Sequence, residues 1–244
     1  MPIDWVEADF HQPTPARAVT TLLGGGISEG AYRSANFSHT VGDQDHAVDE
    51  NRRRLRTQFQ LPSEPVWLTQ VHGTDVWCGL NRPNTTADAS VTSERSTVLA
   101  VLTADCLPVV LVSACGQFRG IAHAGWRGLL AGVIENTVNQ LVALGATDLM
   151  AWLGPCIGPH SFEVGPEVRD AFIGQSARNQ IAFTPCDHGK YLADLQSLAR
   201  VRLASFSIDS RACARDTRTD LDCYSFRRQN PTGRMATVVW LPQR

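Results

Sequence analysis

Short, uninterrupted apolar runs constrain this chain more than any other feature. Segments 66–70, 97–102, 109–113, 120–123, 149–153 and 236–241 are brief, rich in β-branched or other apolar residues, and bounded by Gly, Pro, Asp or Ser, so each predicts a strand. A strand with one wet face alternates polar and apolar residues. Continuous runs belong to strands covered on both faces, which points to layered α/β architecture.

Helices are fewer. From Leu129 onward, Leu130, Val133, Ile134, Val138, Leu141 and Val142 share one face, and Gly145 stands where a C-cap would end the pattern. A second helix is predicted from about Asp45, with Val48, Leu55 and Phe59 on one stripe and acidic residues in its first turn. A third is predicted over 191–206. Strands and helices do not alternate strictly, so the expectation is an α/β fold with mixed sheets. No repeat, low-complexity tract or long linker divides the 244 residues. Given a prior of roughly 150 residues per domain, 1–244 is read as one larger domain. Residues 83–96 read as a loop excursion within it.

A net charge of -2 provides no general pull towards nucleic acid or anionic lipid, and neither is expected as a partner. The basic cluster at 52–56 reads as the solvated face of a helix. No apolar run approaches the roughly 20 residues needed to cross a bilayer. Residues 1–10 carry Asp4, Glu7 and Asp9, unlike a secretory leader. The seven cysteines are scattered without CxxC spacing. A cytoplasmic protein with reduced thiols is the expectation, as monomer or homodimer.

Three polar residues stand near predicted strand ends, where sheets gather functional groups from distant sequence: His72 after 66–70, Cys106 after 97–102 and His123 at the close of 120–123. If those ends meet, two imidazoles and a thiolate suit Zn²⁺ and leave a fourth tetrahedral position open, as catalytic zinc sites do. Gaps of tens of residues do not constrain geometry, so a plainer reading stands beside it: a buried filler cysteine and hydrogen-bonding histidines.

Around His123, the string HAGWRG leads into a helix whose free N–H groups could receive an anion. Equally, Trp126 could fill core volume while Arg127 pairs with a carboxylate. Further on, SFRRQNPTGR offers Arg227 and Arg228, whose guanidinium groups suit phosphate. Only one of an adjacent pair in a strand can face a site, and Arg228 is preferred.

The strings GGGISEGAYRSANFSHTVGD, VWLTQVHGTDV, ADAS, VLTADCLPVVLV, AHAGWRGLLAGV, AWLGPCIGPHSFEVG and SFRRQNPTGRMATVVWL, taken in order, resemble the YfiH family, also called the polyphenol-oxidase or laccase-domain family. Peptidoglycan editing factor is one of its members. The resemblance implies a four-layer α/β/β/α sandwich and a metal site at His72, Cys106 and His123, usually assigned zinc. It also implies purine nucleoside phosphorolysis, with adenosine deaminase and methylthioadenosine phosphorylase activities at the same site. Purine nucleosides and phosphate are then the small-molecule partners. Arg127, Arg228, Trp126, Gln70 and Asn36 are the candidate substrate and phosphate contacts. Asp105, beside Cys106, is a candidate to orient a ligand or move a proton, or else to cap a turn. Two departures are visible: Phe37 replaces the usual Leu, and the segment from Cys213 to Cys223 is irregular.

A laccase needs several coppers and draws many of their ligands from His-x-His pairs. The seven histidines here include no such pair, which disfavours a copper-dependent polyphenol oxidase although copper in place of zinc stays open. Cys106 could instead act as a nucleophile with His123 as its base, editing peptidoglycan precursors that carry L-serine. The chain could also be a non-catalytic zinc-binding module.

Overall fold

The computed structural model describes residues 1–79 and 85–243. In chain order its strands are β1 (Trp5–Glu7), β2 (Arg17–Thr21), β3 (Val76–Cys78), β4 (Ala89–Thr92), β5 (Leu99–Thr103), β6 (Leu107–Ser113), β7 (Arg119–Ala124), β8 (Leu149–Leu153), β9 (Glu163–Val164), β10 (Phe183–Pro185), β11 (Tyr191–Ala193), β12 (Ser210–Ala212) and β13 (Met235–Trp240). The α-helices are α1 (Asp45–Phe59), α2 (Trp126–Ala131), α3 (Val133–Ala143), α4 (Pro166–Gln175) and α5 (Leu195–Ala204).

Two large sheets carry the fold. One is antiparallel, in the order β1-β2-β13-β5. The other is mixed, in the order β12-β8-β6-β7-β4-β3, with parallel pairs at both edges. A three-stranded antiparallel sheet, β10-β11-β9, stands apart.

The apolar runs are explained by what lies on each side of them. In β6, Leu107, Val109 and Leu111 pack with Leu129, Val133, Ile134, Val138 and Leu141 of α2 and α3 and with Leu198 of α5. Its alternate residues, Val110 and Val112, face Ala18, Leu99, Val101 and Val239 of the antiparallel sheet. The far side of that sheet places Val19, Ala100, Ala236 and Val238 against Leu55 and Phe59 of α1. The layers therefore run helix, sheet, sheet, helices, as the four-layer expectation has it. Burying each such Val or Leu contributes about 1.5–3 kcal/mol, so a strand between two layers tolerates no polar alternation.

Several expected elements change on folding. Segment 66–70 is not a strand; it touches the sheets only through isolated parallel bridges, Val66 to Leu99 and Thr69 to Thr86. The helix read from Leu129 is two helices, because Gly132 takes φ 101° and ends α2 before α3 begins. The predicted helix 191–206 divides into strand β11 and helix α5, whose start is fixed by the Asp194 side chain accepting the Ser197 amide. In the loop predicted at 83–96, residues 89–92 form the fully buried β4, while positions 83 and 84 lie outside the described residues. No helix among the described residues is long and apolar enough to cross a membrane.

Candidate metal centre

Three pieces of backbone deliver the candidate ligands. His123 sits near the end of β7, paired with Pro108 across the ladder. Cys106 lies in the turn that leaves β5 in one sheet and enters β6 in the other. That turn is sharp enough to hold Asp105 at φ 92°. His72 lies in the loop before β3, in the left-handed region at φ 61°. One ligand atom from each of the three lies within 4.8 Å of the others, and no other group of three or more His, Cys, Asp or Glu among the described residues meets the same condition. His72 is exposed, Cys106 half-buried and His123 buried, so the cluster opens to solvent on one side.

The donor set fits zinc. Tetrahedral zinc with Zn–N near 2.0–2.1 Å and Zn–S near 2.3 Å requires ligand atoms roughly 3.3–3.6 Å apart. Cys106 Sγ lies 3.9 Å from His72 Nε2, and the two imidazole rings meet edge to face with centroids 4.7 Å apart. Gly125 keeps the space clear, because a Cβ there would stand 3.0 Å from His72 Cδ2 and 3.1 Å from Cys106 Sγ.

Asp88 has the most contacts around the cluster, and nothing in its sequence context beyond the ADAS string marked it. It is fully buried. Its Oδ1 meets His123 Nδ1 at 2.8 Å and accepts the His72 amide at 2.9 Å, while Oδ2 accepts the amides of Val71 at 3.1 Å and Gly73 at 2.7 Å. Burial alone would push this carboxyl's pKa up; the bonds from His123, Gly73 and Val71 outweigh burial and leave it lowered.

Without a metal, the electrostatics of the cluster favour a thiolate beside an imidazolium. Burial would raise the Cys106 thiol, but the charge and hydrogen bonds of His123, then of His72, bring it down to about 6. Burial opposes protonation of His123 too, yet the Cys106 charge and the Asp88 bond raise it to about 9.

The other predicted residues divide into two groups. Arg127 is exposed in the first turn of α2, its guanidinium stacked 4.4 Å over the half-buried Trp126 ring, which packs on the helix-side core. Remaining candidates are bonded within the protein, mostly to its own backbone. Gln70 clamps Leu102 of β5 by accepting its amide and donating to its carbonyl. Asn36 is fully buried, donating to Ser38 O and Asp43 and accepting the amides of Ser38 and Arg234.

The arginine pair lies in a turn, where the strand argument for choosing between them does not apply. Arg228 donates to the carbonyls of Thr217, Arg218, Asp220 and Cys223, which ties the irregular Cys213-to-Cys223 segment together and leaves Arg228 a poor phosphate ligand. Arg227 donates its guanidinium to Glu163 O and lies over Phe162. Both carboxylate oxygens of Asp105 accept hydrogen bonds, from the Thr217 hydroxyl and the Arg227 amide.

Arg234 was missed. It immediately precedes β13, whose Met235 pairs with Thr103, so the register sets it across from the turn bearing Cys106. Burial lowers its pKa while the charges of Cys106 and Asp105 oppose that. Its place in the NPTGR string, next to a strand end, was the available signal.

Residues 17–242 match the family model described as multi-copper polyphenol oxidoreductase laccase. The chain is 46% identical over 237 residues to the purine nucleoside phosphorylase YfiH of Escherichia coli strain K12, covering 95% of this chain and 96% of that one. It is 42% identical to the Pseudomonas aeruginosa purine nucleoside phosphorylase PA4543, covering 97% and 98%. Among solved structures, the Neisseria meningitidis protein NMB0706 superposes with a TM-score of 0.91 at 38% identity over 98% of this chain and 100% of that one. A Bacillus licheniformis hypothetical protein YfiH does so at 0.87 and 26% identity, covering 93% of each.

Proposed function

This chain belongs to the YfiH family, whose model is described as multi-copper polyphenol oxidoreductase laccase, and from that premise we propose that it is a zinc-dependent purine nucleoside phosphorylase acting as one catalytic unit. The observation that supports this reading best is the convergence of His72, Cys106 and His123 on one point with an open side. His-x-His pairs, which a multicopper cluster would call on, are missing from the sequence.

In this reading a nucleoside such as inosine or adenosine lies over the cluster. A phosphate oxygen attacks the anomeric carbon, the glycosidic C–N bond breaks, and its electron pair leaves with the purine, which takes up a proton. Ribose 1-phosphate and free base result. Zinc held by the three ligands supplies Lewis acidity towards a substrate oxygen or nitrogen. Arg127, exposed at the start of α2 two residues after Gly125, holds phosphate in line, and the charge of Arg234 adds to the positive field. Gly125 lets substrate approach the ligands closely. Adenosine deamination and methylthioadenosine phosphorolysis are proposed as further activities of the same centre. Purified protein with inosine and phosphate is expected to release hypoxanthine and ribose 1-phosphate, and to contain about one zinc per chain by elemental analysis. Release of neither product from inosine, together with no ammonia from adenosine, overturns the proposal.

A second reading is favoured by one observation: Cys106, His123 and Asp88 also stand in the order nucleophile, base and orienting carboxylate. A hydrolase using that trio, for example on L-serine-containing peptidoglycan precursors, would be active without metal. Chelation therefore separates the two readings.

A further inference from the structure

The zinc chemistry proposed above gives the ADAS string no part, yet its aspartate touches two of the three ligand segments. We propose that Asp88 is a positioning residue that presets both histidines, so that the site is shaped before any metal arrives. This rests on the zinc reading of the cluster. A carboxylate can only accept hydrogen bonds, so the bond at 2.8 Å requires His123 Nδ1 to carry its proton and turns Nε2 towards Cys106 as the ligand atom. The backbone reinforces this, since the His123 amide donates to Asp88 O at 2.7 Å.

The same side chain shapes the His72 loop. Three successive amides, those of Val71, His72 and Gly73, converge on the two Asp88 oxygens. Amides from consecutive residues point to one anion only when the backbone curls, and the curl here is the left-handed His72 at φ 61°. A non-glycine residue in that region is strained, and the carboxylate holds it there. Gly73 O in turn lies where a Cβ at Gly128 would come within 2.9 Å, so the loop is seated on α2, the helix that follows His123. A single buried charge thus sets the ring orientation of one histidine and the backbone conformation of the other.

Asp88→Asn is the informative change because it keeps size and burial while replacing one acceptor by an NH₂ donor. In either amide orientation that NH₂ faces N–H groups: those of Val71 and Gly73, or those of His72 and His123. Zinc dissociation constants from chelator competition are expected to rise about 10–100-fold in the folded variant, with the far-UV circular dichroism spectrum unchanged. A folded variant with the wild-type zinc constant overturns the proposal. NMR of metal-free wild-type protein keeps the test open if the variant does not fold: a slowly exchanging His123 Nδ1–H proton is expected, and its absence overturns the proposal as well. Failure of the wild-type protein to bind zinc at all sinks the zinc reading instead, and the Nδ1–H measurement still decides whether Asp88 sets the ring.

Discussion

Thr217 donates its hydroxyl to Asp105 at 2.6 Å across 112 positions of sequence, and so ties the irregular loop after β12 to the residue preceding Cys106. Thr217 is fully buried and Asp105 nearly so. Thr217→Val keeps the shape and removes one donor from a buried carboxylate. Loss of about 1–3 kcal/mol of folding stability is expected, measured by urea denaturation of the metal-free protein. A change within a few tenths of a kcal/mol refutes the assigned bond.

Removal of the thiol separates catalysis from docking. Cys106→Ala is expected to stay folded but to lose zinc and at least about 1,000-fold in phosphorolysis rate, the scale of a Lewis-acid contribution of several kcal/mol. Assay with inosine and phosphate checks this. Retention of more than a tenth of the wild-type rate would falsify a catalytic role for the metal.

Acidity of the same thiol predicts reactivity in chelated protein. With its pKa down at about 6, Cys106 is mostly thiolate at pH 7.5, and alkylation by iodoacetamide should fall to half its plateau rate near pH 6 rather than near pH 9. Below that pH the thiol is protonated; above about 9, His123 loses its proton and the ion pair ends. Zinc should protect the residue. Mass-spectrometric labelling rates across pH 5–9 provide the measurement, and a midpoint above 8 contradicts the ion pair.

Gly125 offers a steric test that leaves the chain's own conformation undisturbed. Its φ of -61° suits alanine, yet the added methyl would stand 3.0 Å from His72 Cδ2 and 3.1 Å from Cys106 Sγ. Gly125→Ala should weaken zinc binding at least roughly tenfold, with little change in metal-free stability, since the cost falls on ligand placement. Equal zinc affinity in chelator competition removes the assigned crowding.

Two arginines are expected to behave in opposite ways. Arg127→Ala should raise the KM for phosphate about 10–100-fold, the range of a charged hydrogen bond of ~1.5–3 kcal/mol, without lowering the melting temperature. Arg228→Ala should lower the melting temperature and leave the phosphate KM unchanged, because its guanidinium is spent on four carbonyls. Steady-state kinetics with varied phosphate, beside thermal melts, checks both.

What the sequence made legible follows from what each signal measures. Apolar runs report double-sided burial, and β5, β6, β7, β8 and β13 were readable because two layers cover them. β2 (RAVTT) escaped because its two threonines read as polar although both are fully buried, Thr20 bonded to the Thr237 hydroxyl and Thr21 accepting the Ala236 amide. The Gly165-Pro166 signal for α4 was present but unused; weak amphipathicity hid the rest. The ligand positions were suggested by strand ends and by resemblance to a family. Convergence is a property of the sheets, so spacing alone could not supply it. Asp88 and Asn36 show the deeper difficulty: one acts through four hydrogen bonds and the other spends its amide on backbone, and neither fact leaves a trace in local pattern.

The strand β13 lies between β2 and β5, although it follows both by more than a hundred positions. β2 pairs with β1 on its other side, but nothing joins it to β5 until residues 235–240 are in place, so the layer that sends out the Cys106 turn is closed by pairing across more than a hundred positions. A chain lacking that strand would carry His72, Cys106 and His123 without the frame that aligns them.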